Sequence, residues 1–276
     1  MAEAPRPAAL QVALSTRLFQ WSGGGLAAIA LILLAAPTLI VVIVSFTSGL
    51  SLRFPPPGYS LRWYYALAEA WQLHFAAGNS LVVACLSTGI SLLLGVSAAL
   101  AIGRSRRPVA RVLDQVFLSP LILPGLAFGL ASLIFFTAIG LPVSPATLVL
   151  GHTVICVPYV VRNTIAALAQ LDPALIDSSL SLGASRLTTF RRITLPLLAP
   201  GIASGGFICF MASFDNIPVS LFLRDAATDM LPIRMWQDLE GKLDVTIAAA
   251  STVLILATIA LAIAMERIAG ISRRLG

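Results

Sequence analysis

The stretch DPALIDSSLSLGASRLTTFRRITLPLLAPG, residues 172–201, organises the reading of the whole chain. Asp172-Pro173 is a strong helix start, with Asp as N-cap and Pro at the first helical position. Leu175, Ile176, Ser179, Leu180 and Leu182 follow as a short apolar stripe, and Gly183 is placed to end that helix in the left-handed conformation. A second short helix is expected from Ser185 to Thr194, carrying Arg186, Arg191 and Arg192. Pro196 is expected to stop it, and Pro200-Gly201 marks re-entry into an apolar run. The segment therefore reads as a compact, partly apolar helical knob. By shape alone it suits either an amphipathic hairpin lying on lipid or a docking element for a soluble partner.

What surrounds the knob is strongly apolar. The chain of 276 residues is 58% hydrophobic and 11% charged, against about 25% charged in soluble domains. So few charges cannot cover a surface in water, and the solvent must be largely lipid. A crossing needs about 20 apolar residues, which predicts an all-α, polytopic protein with six spans near 26–46, 80–102, 116–138, 146–162, 200–223 and 245–265. Gly140, Pro142 and Pro145 break the uncharged run between Gln115 and Val161 into two spans joined by a tight hairpin. The first apolar run is too long for a cleavable leader and is expected to stay as a span. The transmembrane domain then covers 26–266, with a cytoplasmic tail at 1–25, a cytoplasmic loop at 163–199 and a second tail at 267–276.

Thirteen of the 18 basic residues fall on one side of these spans, among them Arg6, Arg17, Arg104, Arg106, Arg107, Arg111, Arg162, Arg267, Arg273 and Arg274. The excess places both termini and the knob in the cytoplasm. The acidic residues Asp225, Asp229, Asp238, Glu240 and Asp244 then lie outside. Orientation alone accounts for the net charge of +6, and no basic stripe interleaved with aromatics points to nucleic acid. Cys85, Cys156 and Cys209 lie in apolar runs and form no disulfide framework. His152 and Cys156 stand one helical turn apart, but two ligands make a poor metal site, and helix packing is the expectation. No catalytic constellation of paired carboxylates, Ser/Lys or clustered His is visible, so a membrane enzyme is not expected. An ion-coupled secondary transporter would need internal repeats and several buried ionisable groups, and only Asp215 and His152 qualify. The single lysine, Lys242, follows Gly241 but has Trp236 where a phosphate loop needs its first glycine. This chain cannot hold ATP that way, so any energy source is another subunit or an ion gradient.

Asp177-Ser178-Ser179, then Gly183-Ala184, Phe190, Ile193, Leu195-Pro196 and Pro200-Gly201-Ile202 resemble the loop motif of ATP-binding-cassette importer permeases, the MetI-like, binding-protein-dependent transport family. That motif opens Glu-Ala-Ala, where this chain has Asp177-Ser178-Ser179; the carboxylate survives on a shorter arm. The resemblance implies a coupling helix gripped by a cytoplasmic ATPase, with Asp177, Ser178, Ser179, Gly183, Ala184, Phe190, Leu195 and Pro196 at the contact. It further implies two ATPase subunits that hold ATP and Mg, a second homologous permease, an external solute-binding protein, and a bacterial inner membrane. No cofactor is expected in this chain.

Gly78-Asn79-Ser80-Leu81, Pro120 to Gly125, His152 to Val161, Ser213 to Ser220 and Leu231 to Trp236 look like the polyamine and opine branch of that family. Asp215 stands out independently, because an ionised side chain inside a span costs about 3 kcal/mol or more unless paired or hydrated. It can line the path and attract a cationic amine such as putrescine or spermidine, with Asn216 beside it. Equally, it can cap a helix broken at Pro218 or pair with Arg224. Phe214, Tyr159 and Trp236 can stack on an ammonium, or serve as packing and interface anchors.

Overall fold

The chain builds almost every ordered element from helix, as its apolar runs require where backbone groups have no water to bond. The computed structural model describes residues 7–105, 107–225, 227–242 and 244–269. Arg6, Arg106, Arg273 and Arg274, which entered the orientation argument, lie outside them. Among the described residues the one strand-like contact is an isolated bridge between Thr47 and Tyr59. The helices are α1 (Pro7–Ser45), α2 (Arg62–Glu69), α3 (Trp71–Ile102), α4 (Pro108–Leu118), α5 (Gly125–Ala138), α6 (Pro145–Gln170), α7 (Pro173–Ser181), α8 (Arg186–Thr189), α9 (Leu195–Phe214), α10 (Ile217–Leu223), α11 (Leu231–Lys242) and α12 (Thr246–Ala269). Five helical runs are long and apolar enough to cross a membrane, and a sixth crossing arises if the bent pair around residue 123 counts as one.

Several expected boundaries move, each for a physical reason. The expected tail at 1–25 is already helical from Pro7. The expected third span, 116–138, is divided: Pro108–Leu121 and Gly125–Ala138 meet at 103°. Pro124 has no N–H to donate and clashes with the preceding turn, so α5 restarts behind it. Helix α6, the expected fourth span, runs past the expected end at 162 to Gln170. It starts at a capping box in which Ser144 and Thr147 satisfy each other's backbone N–H groups, just after Gly140 turns the chain at φ 76°.

Pro196 does not stop the second knob helix. Phe190–Thr194 widens into a π-turn, and the Leu195 N–H bonds to the Phe190 carbonyl five residues back. The wider turn absorbs the proline, so Arg186–Phe214 forms one 29-residue helical run. The expected fifth span, 200–223, is interrupted instead at Asp215-Asn216, where α9 ends and α10 begins.

The described chain divides into two compact units, residues 1–67 with 243–254 and residues 68–242 with 255–276. In the first, Val44, Val245 and Ala248 pack with Val41 and Trp63, and the Trp63 indole donates to the Gly49 carbonyl at 3.2 Å. In the second, α3, α6 and α9 pack through small residues. A Cβ on Gly95 of α3 would lie 2.8 Å from Val160, and one on Gly201 of α9 would lie 2.5 Å from Ala167. Ser87 and Ser91 of α3 donate to the Val149 and Thr153 carbonyls of α6 at 3.2 and 3.4 Å. In lipid the hydrophobic effect does not bring helices together; close backbone approach and such hydrogen bonds do. Exposed Leu31, Ile32, Leu94 and Ile134 are the expected complement on lipid-facing surfaces.

Candidate functional site

Two regions of the second unit carry most of the expected site residues, and they stand at opposite ends of the Arg186–Phe214 run. The first is the knob. Asp172 Oδ1 accepts from the Ala174 N–H at 2.9 Å, and Pro173 opens α7. The helix closes with paired bonds from Ala184 N–H to Ser179 O and from Gly183 N–H to Leu180 O, at 3.1 and 3.0 Å. Gly183 takes φ +85°, the left-handed closure that β-substituted residues resist. Ser185 then caps α8 by accepting from the Thr188 N–H at 3.2 Å.

A buried hydroxyl pair, Ser179 with Thr189 at 2.9 Å, ties α7 to α8. The knob is thus braced internally and continues through the π-turn into α9 without a joint. Its surface carries exposed apolar side chains: Leu182 is 88% exposed at the tip, with Leu175, Leu180 and Leu187 exposed around it. Such a patch marks a surface built to be covered. A cleft of about 460 Å³ is lined by residues of α6, α7 and α9, Asn163, Gln170, Asp172, Leu175 and Pro200 among them.

The expected contact residues distribute unevenly over this knob. Asp177, Ser178, Gly183, Leu195 and Pro196 are exposed, while Ala184 and Phe190 are half-buried. Ser179 turns inward and braces the knob. Leu182, which the motif does not include, is the most exposed large apolar side chain among the described residues. Its position in the apolar stripe just before the glycine was the available signal.

The second region is the break in the fifth span. Asp215 and Asn216 N–H groups still bond back to Met211 and Ser213 carbonyls, at 3.1 and 3.3 Å. Asn216, not Asp215, caps the next helix, its Oδ1 accepting from the Val219 N–H at 2.9 Å, with Pro218 in the first turn. Arg224 is committed to Asp229 at 3.0 Å. No side chain among the described residues therefore bonds the exposed Asp215 carboxylate. Phe214 stacks on Phe210 with centroids 5.9 Å apart.

The structure brings Asp215, Asn216 and Phe214 together but does not gather the other proposed path residues around them. Tyr159 is seven residues along α6 from His152, roughly 10 Å by helical rise, and its carbonyl accepts from Asn163 Nδ2 at 2.8 Å. Trp236 lies on α11 and is 55% exposed. His152 is buried in the packing of α6 against α9 and α10. Both imidazole nitrogens face serine hydroxyls, Ser213 at 2.8 Å and Ser220 at 2.9 Å. Among the described residues no group of three His, Cys, Asp or Glu side chains could hold a metal.

Close to the break, α5 packs on α10 with almost no intervening side chain. A Cβ on Gly125 would lie 3.1 Å from Pro218 Cβ, and one on Gly129 2.7 Å from the Pro218 carbonyl. The two interruptions, at 122–124 and 215–216, are therefore neighbours. The acidic segment 225–240 is partly self-satisfied. Asp225 Oδ1 accepts from the Thr228 hydroxyl and the Thr228 and Ala227 N–H groups. The Thr228 hydroxyl foremost holds its carboxyl below the usual range. Asn79 Nδ2 donates to the Asp229 carbonyl at 3.0 Å, Ser80 Oγ accepts from the Leu231 N–H at 2.9 Å, and Arg234 bonds both Gln72 and Asp238, which anchors this segment to the start of α3.

Comparison with known proteins agrees with this geometry. Residues 91–274 match the family described as binding-protein-dependent transport system inner membrane component. The spermidine/putrescine transport system permease protein PotC of Escherichia coli (strain K12) is 27% identical over 235 residues, covering 84% of this chain and 88% of that protein. The putrescine transport system permease protein PotI of the same organism is 30% identical over 229 residues, covering 80% and 81%. A chain from the crystal structure of a bacterial ABC transporter involved in the import of the acidic polysaccharide alginate shares the fold, with a TM-score of 0.66 at 14% identity over 97% of this chain and 98% of that one.

Proposed function

From the premise that this chain belongs to the family of binding-protein-dependent transport system inner membrane components, and so is a permease subunit of an ATP-binding-cassette importer in the inner membrane, we propose that it moves a small cationic amine of the spermidine and putrescine class. The observation that carries the mechanism is the unbroken helical run from Arg186 to Phe214. It joins a braced cytoplasmic knob to an interruption at membrane depth. A soluble ATPase that grips Leu182 and the exposed face of α7 would displace the run as one lever. The break at Asp215-Asn216 would then move with its far end, opening the path alternately to either side. Asp177, Ser178 and the turn at Gly183-Ala184 present the knob to the ATPase, with Phe190, Leu195 and Pro196 at its junction to the membrane.

The cargo reading rests on the two polyamine permease relatives and on Asp215, an exposed carboxylate that no basic side chain among the described residues neutralises. A free carboxylate at membrane depth is functional by default. Asn216 and Phe214 adjoin it, and Tyr159 and Trp236 belong to other stations of the path. In this reading both termini are cytoplasmic, and the bent α4–α5 pair makes the sixth crossing of a permease domain spanning residues 26–266. The working assembly pairs this chain with a second permease, two ATPase subunits that bind ATP and Mg, and an external solute-binding protein. The test is competitive uptake by proteoliposomes holding that assembly. Asp215→Asn should reduce uptake of a dication such as putrescine and leave ATP hydrolysis by the assembly in place. Unchanged putrescine uptake by Asp215→Asn would remove the carboxylate from the cargo path.

A further inference from the structure

The transport reading leaves one buried polar group unused. His152 is fully buried on α6, with Nδ1 2.8 Å from Ser213 Oγ and Nε2 2.9 Å from Ser220 Oγ. Ser213 belongs to the last turn of α9, and Ser220 lies one turn into α10. The serines therefore flank the Asp215-Asn216 interruption, and one imidazole holds both halves of the broken helix to α6. A neutral imidazole donates at one nitrogen and accepts at the other, whereas a hydroxyl does either, so both bonds close in either tautomer.

The surrounding contacts leave no slack. A Cβ on Gly151, the residue before His152, would stand 2.4 Å from Leu223 Cδ1 and 3.2 Å from Val219 Cγ1. Helix α10 thus rests directly on α6 at the height of the histidine, and α5 rests on α10 through Gly125, Gly129 and Pro218. Without such a clamp the break would be soft. A seven-residue helix is too short to hold its own direction and depends on packing and its cap.

We propose that His152 is a positioning residue that fixes the angle between α9 and α10 and, through the α10–α5 contact, the stance of the second half of the bent third span. Together with the direct α6–α10 packing at Gly151, this bridge passes motion of the lever on to α10 and α5 rather than letting it dissipate at the interruption. The inference rests on the geometry of the break and is independent of whether Asp215 touches cargo.

Distance measurement between paired nitroxide labels tests it in the full transporter complex. The labels go on Ile134→Cys of α5 and Ile208→Cys of α9, both exposed, in a Cys85→Ser background, because Cys156 and Cys209 are buried. Ser220→Ala removes one hydroxyl with hardly any volume. It should broaden the α5–α9 distance distribution and move its centre by about 2 Å, the scale of helix shifts that packed interfaces permit. His152→Phe should do the same more strongly, and His152→Gln, whose amide can still reach Ser220, should restore a narrow distribution. The Michaelis constant for uptake should rise several-fold in Ser220→Ala while the ATPase stays bound. An unchanged distance distribution in Ser220→Ala overturns the proposal, whether or not His152→Phe inserts. Asp215→Asn should leave the distribution where it is, so failure of the cargo reading and failure of this one are separable.

Discussion

The two ends of the Arg186–Phe214 run solve opposite problems. The knob end is held together by its own sequence neighbours: a cap at Asp172, a left-handed closure at Gly183, a cap at Ser185 and one hydroxyl pair ten residues apart. It turns its apolar side chains outward. The break end is held by partners 61 and 68 residues away in sequence and turns its polar groups inward, apart from Asp215. On the proposed reading, a surface gripped by the ATPase has to keep its shape unaided, whereas a joint inside the bundle can borrow rigidity from α6 and α5. The knob is therefore sensitive to changes that spare the fold, and the break to changes that loosen it.

The sharpest way to break that contrast is Gly183→Val. The position has open space around it but φ +85°, so the cost is backbone strain of about 1–2 kcal/mol rather than a clash. Insertion should survive while uptake falls to background and the ATPase no longer co-purifies; normal co-purification would count against the knob as the grip. Next in size is Leu182→Ala. The side chain touches little within the chain, so stability should be unchanged, yet losing its burial under a partner should weaken ATPase binding by about 1.5–3 kcal/mol, or roughly 10- to 150-fold. Titration of the ATPase onto the purified assembly measures this, and an unaltered affinity would place the grip elsewhere.

At the other end the order reverses, with stability moving first. Gly129→Ala drives a Cβ to 2.7 Å from the Pro218 carbonyl and 2.8 Å from Phe222, an overpacking worth about 1–3 kcal/mol. Thermal unfolding in detergent should shift down, with ATPase binding intact. The smallest effect is expected from Asn216→Ala, which removes the cap on Val219 and should cost about 1 kcal/mol. If Asn216→Ala instead lowered ATPase affinity as much as Leu182→Ala, the division between grip and joint would fail.

The same contrast governs what could be read from the sequence. Caps and left-handed turns are written in adjacent residues, so the start at Asp172-Pro173 and the closure at Gly183 were legible. The apolar runs were legible too, because hydropathy needs no knowledge of neighbours. Pro196 misled, since its effect depends on whether the preceding turn can widen, and Phe190–Thr194 does. Pro124 misled in the other direction, because a run without charges conceals a bend of 103°. His152 was visible as an oddity in an apolar helix, but its meaning needed Ser213 and Ser220. Their seven-residue spacing across Asp215-Asn216 was a signal only once the break was known. Asp215 was legible as a charge out of place, while its freedom from Arg224 followed from the pairing of that arginine with Asp229.

The most direct test of the account is uphill uptake of labelled putrescine by proteoliposomes that contain either this chain alone or the assembled transporter. The account predicts accumulation only with the ATPase present and ATP supplied, and none when Gly183→Val replaces the parent chain. Concentrative uptake by this chain alone, driven by an ion gradient without nucleotide, would contradict it.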